Sequence, residues 1–325
     1  MGAMKHRLEG LEPDNLLAFL ALLGLLRSLE EVVPTWLPRA AWPASARVRP
    51  SLSVRVAAKR STIVNAAAAG VMKLASRHDF GSHRDLKLSP ETVEQLCSAA
   101  ACGGDRYLAD LWSALVSGVV VRDRNKTTEV EPTPLCMMFG QGHQHFLERL
   151  SAVPQQRQPP DRGAGRSKRS ISETACLSEA LFMHWSRPDA TQSFRWDPHE
   201  DVRYALRATD PTDPKTKATT QHGANRLAAV GLAALTVVPQ RRWAEPARLA
   251  VLGGSRDPDS GGFVLTWPIW REPASLTAIR SLLGHPGLAD PDTRASLGIV
   301  ELRRTRRISF GRYMNFTRAD PVVVG

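Results

Sequence analysis

From Leu16 to Leu26 the chain runs without a single polar side chain, and this stretch limits the possible folds more than any other. It falls well short of the roughly 20 residues that span a bilayer. Glu9, Glu12 and Asp14 precede it where a secretory leader would be basic. A helix apolar on every side belongs in the middle of a protein, so the segment predicts a central buried helix around which other elements pack. It should start at Pro13-Asp14-Asn15, with Asp14 available as cap, and run to about Glu31, where Pro34 and Pro38 stop it. The Met1-Gly2-Ala3 start reads as an expression addition ahead of a native Met4.

The 325 residues are 42% hydrophobic and 23% charged, which excludes wholesale disorder, collagen and coiled coil. Downstream, Ser51 to Ala57 alternates as a half-buried strand does, and Ser61 to Leu74 is Ala-rich and helical. Helices are expected at Pro90 to Ala101, Asp105 to Ser117, His143 to Ala152, Ser172 to His184, Ala224 to Leu235 and Ser275 to Leu283. Strands are expected at Val119 to Val121, Arg203 to Arg207, Thr236 to Val238, Leu249 to Leu252, Phe263 to Ile269 and Ile299 to Ile308. The class is α+β, helix-rich with a small mixed or antiparallel sheet. Residues 154–170, PQQRQPPDRGAGRSKRS, read as a flexible basic linker between an N-terminal helix-rich lobe at 4–153 and a C-terminal α+β lobe at 171–325.

The charge balance points outward. Lys+Arg 43 against Asp+Glu 32 leaves +11, which favours an anionic partner, nucleic acid ahead of an anionic membrane. Arginine dominates the positive charge, and its planar fork suits phosphate. Arg303, Arg304, Arg306 and Arg307 lead into Phe310, Arg312, Tyr313, Asn315, Phe316 and Arg318, a basic and aromatic interleaving that suits phosphates and unpaired bases. A second cluster, Arg157, Arg162, Arg166, Lys168 and Arg169, lies in the linker, where a mobile arm folds onto a phosphate backbone on meeting one. A third candidate is the helix opening Gln221-His222-Gly223-Ala224-Asn225-Arg226, whose free amides, Asn225 and Arg226 form a natural anion seat, with Lys215 and Lys217 in the loop before it.

Signatures of catalysis are weaker. Asp197, His199, Glu200 and Asp201 supply the side chains of a divalent-metal nuclease, although neighbours on an extended segment point to opposite faces. Cys97, Cys102, Cys136 and Cys176 lack zinc-knuckle spacing with His143 and His145, and read as reduced core thiols in the cytoplasm. The chain has no phosphate-loop, HExxH or GxSxG run. No catalytic residue, metal or cofactor is expected.

Three segments together carry a resemblance. LEGLEPDNLLAFLALLGLLR at 8–27, FRWDPHEDVRYALRATDP at 194–211 and QHGANRLAAVGLAALTVVP at 221–239 resemble proteins of type I-G CRISPR loci, formerly type I-U. The likeness is to a large-subunit-like component of the interference complex, or to the separately encoded extension of its helicase-nuclease. It implies a non-catalytic subunit of an RNA-guided complex that contacts target DNA near the flanking motif and helps recruit the helicase-nuclease. Target DNA, guide RNA, other complex subunits and the helicase-nuclease are the partners it implies. The alternatives are a protein adaptor for that enzyme without direct DNA binding, and a metal-dependent nuclease.

Overall fold

The computed structural model describes residues 4–122, 128–138, 145–163, 165–200, 219–240, 248–257, 260–310 and 313–322. The apolar run forms helix α1, Leu16–Val32, and Asn15 rather than Asp14 caps it by accepting the Ala18 N–H at 3.2 Å. Asp14 instead holds Arg318 in an ion pair. Ten of the eleven residues from 16 to 26 are hydrophobic core members at 0% exposure, and the eleventh is Gly24.

Against α1 pack α2 (Arg60–Ala75) and α7 (His222–Gly231); α5 (Phe146–Gln155) and α6 (Glu173–Phe182) pack in turn on α2 and α7, and α3 (Pro90–Cys102) packs on α4 (Arg106–Leu115). The helices α8 (Leu276–Leu283) and α9 (Pro291–Ser296) come later in the chain. Ser89, Asp105, Ser172 and Ser275 cap α3, α4, α6 and α8, each accepting a backbone N–H three residues on, which is why these four starts were visible in the sequence. The strand expected at 203–207 lies outside the described residues, as does the start of the helix expected from His143.

All strand pairing is antiparallel. A three-stranded sheet takes the order β1-β3-β2, with β1 at Met4–Arg7, β2 at Arg39–Ala41 and β3 at Ser51–Val54. Two hairpins follow: β4 (Val116–Arg122) with β5 (Thr128–Pro132), and β6 (Val237–Gln240) with β7 (Arg248–Val251). The largest sheet runs β11-β10-β9-β8, with β8 at Gly254–Arg256, β9 at Phe263–Trp270, β10 at Ile299–Phe310 and β11 at Tyr313–Phe316; β12, Asp320–Pro321, also pairs with β10. The architecture is α+β, helix-rich, with small antiparallel sheets.

One hydrophobic cluster runs from Leu8 to Ala319, across both sides of residues 154–170. Phe19 of α1 stacks on Trp267 of β9 with ring centroids 5.1 Å apart, and the Trp267 indole N–H donates to the Pro13 carbonyl at 3.1 Å. Residues 154–170 therefore do not divide two separate cores. Among the described residues no helix is long and apolar enough to cross a membrane.

Candidate nucleic-acid interface

Residues 8–27, 194–200 and 221–239 meet inside the molecule. The Leu17 N–H donates to the Trp196 carbonyl at 3.1 Å, and the Asn15 amide donates to Asp197 at 2.9 Å. α1 crosses α7 so closely that a Cβ at Gly24 would lie 1.8 Å from the Leu227 carbonyl oxygen. What the segments share is packing, and this changes the role of two expected contact residues. Asn225 and Arg226 are both at 0% exposure. The Asn225 amide donates to Thr220 Oγ1 at 2.8 Å and its oxygen accepts the Phe194 N–H at 3.3 Å. Arg226 pairs with Glu173 at 2.7 Å and donates to the Pro154 carbonyl at 3.0 Å. Neither reaches solvent, because α7 is enclosed on all sides by other helices. The anion seat at this helix start is real, but the chain fills it itself: buried Asp189 accepts the His222 N–H at 3.0 Å. Lys215 and Lys217 lie outside the described residues.

The carboxylates proposed for metal chemistry hold the fold instead. Both Asp197 oxygens are engaged, by Arg187 at 2.6 and 3.2 Å, by the Asn15 amide and by the His199 N–H at 3.0 Å. Glu200 accepts from Ser193 at 2.6 Å and Thr220 at 2.9 Å. Burial, reinforced by the nearby Asp197 charge, pushes the Glu200 carboxyl up to about 7. His199 is exposed, and Asp201 lies outside the described residues. Among the described residues no three His, Cys, Asp or Glu side chains gather as metal ligands do. Cys136 and Cys176 are buried, which pushes both thiols up to about 12. His145 pairs with Asp85 at 2.7 Å, and His143 lies outside the described residues.

Residues 154–163 and 165–170 are pinned rather than free. The Arg162 N–H donates to the Arg169 carbonyl and the Arg169 N–H to the Arg162 carbonyl, both at 2.9 Å. Gly163 and Gly165 make the reversal possible with φ of 84° and 56°, a region open to glycine. Arg162 is the anchor: its guanidinium is 8% exposed and pairs with Asp189 at 2.7 Å and Glu179 at 2.8 Å. It is a structural residue, contrary to expectation. Arg157, Arg166, Lys168 and Arg169 are exposed, although Arg157 pairs with Glu173 at 2.7 Å and Lys168 with Asp161 at 3.2 Å.

The arginines of β10 do not form one patch, because successive residues of a strand face opposite ways. Arg303 and Arg307 share a face with wholly buried Thr305. Arg303 pairs with Glu301 at 2.8 Å, and Arg307 donates to the Pro134 carbonyl at 3.0 Å with its guanidinium 5.8 Å from the Phe263 ring centre. Burial lowers the Arg307 pKa. On the other face Arg304 donates to Thr266 at 3.3 Å, and Arg306, 60% exposed, lies 3.7 Å from Asp257. Phe316 is a core residue at 1% exposure, so its ring is not free to stack on a base. Arg312 lies outside the described residues.

The motif-based reading passed over the exposed cations of the N-terminal sheet and its surroundings, Lys5, Arg39, Arg47, Arg55, Lys59 and Arg60. The available signal was an absence: residues 32–78 hold eight Lys and Arg but no Asp or Glu. No family model, curated protein or solved structure matches the chain.

Proposed function

We propose that this chain is a non-catalytic nucleic-acid-binding subunit of an RNA-guided CRISPR interference complex, contacting target DNA near the flanking motif and helping to recruit the helicase-nuclease. The observation that carries the nucleic-acid part is where the acids go. Asp110 is engaged by Arg27, Arg106 and Arg280; Glu173 by Arg157 and Arg226; Asp189 by Arg162; Asp197 by Arg187. These four acids sit inside and are shared among seven arginines, so none of them is left to balance the exposed Lys5, Arg39, Arg55, Arg166 and Arg169. Such a surface gains most from a partner whose counterions are released on contact. The place in the complex rests on the resemblance of the three segments.

The test is a titration of the protein alone against labelled duplex, single-stranded and forked DNA at several salt concentrations. Log affinity should fall linearly with log salt, by about 0.7–0.9 for each phosphate neutralised. The triple variant Arg166→Glu, Lys168→Glu, Arg169→Glu should bind more weakly with a shallower slope. Negligible binding by the unaltered protein at low salt overturns the reading. Failure to co-purify with the other subunits on co-expression overturns the assignment to the complex.

A further inference from the structure

The outward rows of the N-terminal sheet carry cations at both edges. In the β1-β3-β2 register His6, Leu52 and Ala40 lie in one row, and all are buried. The next row, Lys5, Ser53 and Arg39, points the other way, with Lys5 and Arg39 exposed on either side of Ser53. At strand spacings of about 4.8 Å this sets the two cations roughly 10 Å apart across a nearly flat face. Arg7, Ser51 and the buried Ala41 follow in the next outward row, and Arg55 continues past the end of β3. The chain then enters α2 through Lys59 and Arg60, both exposed.

Among the described residues an acid answers Arg7 on this face, and Lys5, Arg39 and Arg55 have no acidic partner. The nearest acids in sequence are already engaged: Glu9 with Arg7 at 2.8 Å, Glu12 with Arg49 at 2.9 Å, Asp14 with Arg318, and Glu31 with Arg77 at 2.7 Å and Lys73 at 3.0 Å. Helix α2 itself contains no acidic residue. Like charges gathered without counter-charges repel one another, and a polyanion relieves that repulsion.

Resting on the nucleic-acid reading above, we propose that the outer face of β1-β3-β2, carrying Lys5 and Arg39 with Arg55 past the end of β3, is a binding surface for a phosphodiester backbone; Arg60 instead lies over the Phe182 ring at 4.8 Å. The polar group on the face favours this occupant over a lipid surface. Ser51 offers a hydroxyl donor to a phosphate oxygen, where a membrane-binding face would present an apolar stripe. At the rim, the Arg55 N–H donates to the Trp36 carbonyl at 2.8 Å, which fixes the backbone of exposed Arg55 beside the turn Pro34–Trp36.

The test compares the unaltered full chain with two triple variants at Lys5, Arg39 and Arg55, one to Glu and one to Gln. Probes are labelled mixed-sequence duplex and single-stranded DNA, and phosphatidylserine vesicles. At low salt the Glu variant should lose on the order of 100-fold in DNA affinity and the Gln variant on the order of 10-fold, with the salt slope shallower by about 2–3. The Gln variant guards against misfolding by the charge reversal, and its melting temperature should match that of the unaltered protein. If the unaltered protein binds DNA and only the 166–169 variant weakens it, this surface is wrong and the functional reading stands. If the unaltered protein binds no DNA at all, both fall. If the sheet variants lose vesicle binding but keep DNA binding, the face belongs to a membrane and the proposal is overturned.

Discussion

Arg226 and Glu173 face each other at 2.7 Å with the guanidinium wholly enclosed, and removing one partner of such a pair costs about 3–5 kcal/mol because the other charge is left stranded. Arg162, Arg187 and Arg226 thus serve the interior, while Arg39, Arg55 and Arg166 serve the surface, and nothing in a sequence window separates the two groups. The buried network also sets the pH dependence. His78 is neutral, donating from Nδ1 to the Leu150 carbonyl at 2.7 Å and accepting from the Tyr107 hydroxyl at 2.6 Å; burial lowers both His78 and His222 to about 4. Between pH 4 and 6.5 the unfolded chain takes up protons at these histidines that the folded chain refuses, so they make stability rise with pH. Glu200 acts oppositely: from 4.5 to about 7 the folded state keeps a proton that the unfolded state has lost, so its contribution falls as pH rises. Two histidines outweigh one carboxyl, which places the optimum of this trio between about pH 6 and 7. Glu200→Gln, imitating the protonated acid, should match the native protein at pH 4 and exceed it increasingly as pH rises from 4.5 to 7, by up to about 3 kcal/mol of stability at pH 8. Thermal melts at pH 4 and pH 8 check this; a variant less stable at pH 8 would mean that the carboxylate is needed in its charged form.

Helices α1 and α7 cross where each offers a glycine. A Cβ at Gly24 would meet the Leu227 carbonyl at 1.8 Å, and one at Gly231 would meet the Leu20 carbonyl at 2.2 Å. Close backbone approach, rather than any special φ, is the reason for glycine here. Gly24→Ala must push the helices apart and should destabilise the protein by about 3 kcal/mol or more, despite alanine's better helix propensity. A chemical-denaturation midpoint at or above that of the unaltered protein would contradict the crossing. At this scale much was legible. α1 announced itself by its apolar run, α3, α4, α6 and α8 by their caps, and β10 by its alternation. Pairing was not legible: β7 joins β6 rather than β9, since a hairpin partner is chosen by tertiary context that propensity does not contain. β1 was missed because four residues are too few for a period to show. The expected loop at 154–170 begins inside α5, which runs to Gln155, and its anchoring depends on Glu179 and Asp189, whose contact with Arg162 no local window reveals.

For the molecule as a whole, the position of 154–170 on the surface matters less than what crosses beneath it. α1 lies against α7, Phe19 stacks on Trp267, and Ala40 pairs with Ala274 as an isolated antiparallel bridge. The Trp196 indole donates to the Leu135 carbonyl at 2.9 Å, and the Leu249 N–H donates to Glu131 at 2.7 Å. Each contact joins the chain before the loop to the chain after it. Separated at the loop, the first part would expose an apolar α1 and the second an apolar α7, each surface far larger than a solvated protein tolerates. Residues 4–153 and 171–325 expressed alone should therefore aggregate or fail to melt cooperatively, whereas co-expression should restore a single complex with one transition. Limited trypsin digestion gives the same test on the intact protein. Arg166 and Lys168 are exposed, so cleavage is expected there, and the nicked chain should elute from gel filtration as one particle of unchanged size. A fragment that melts cooperatively alone, or a nicked protein that separates without denaturant, would mean that the two sides hold independent cores after all. The DNA titrations would then have to be repeated on each half, because the surfaces around Arg39 and around Arg166 would no longer be held on one body.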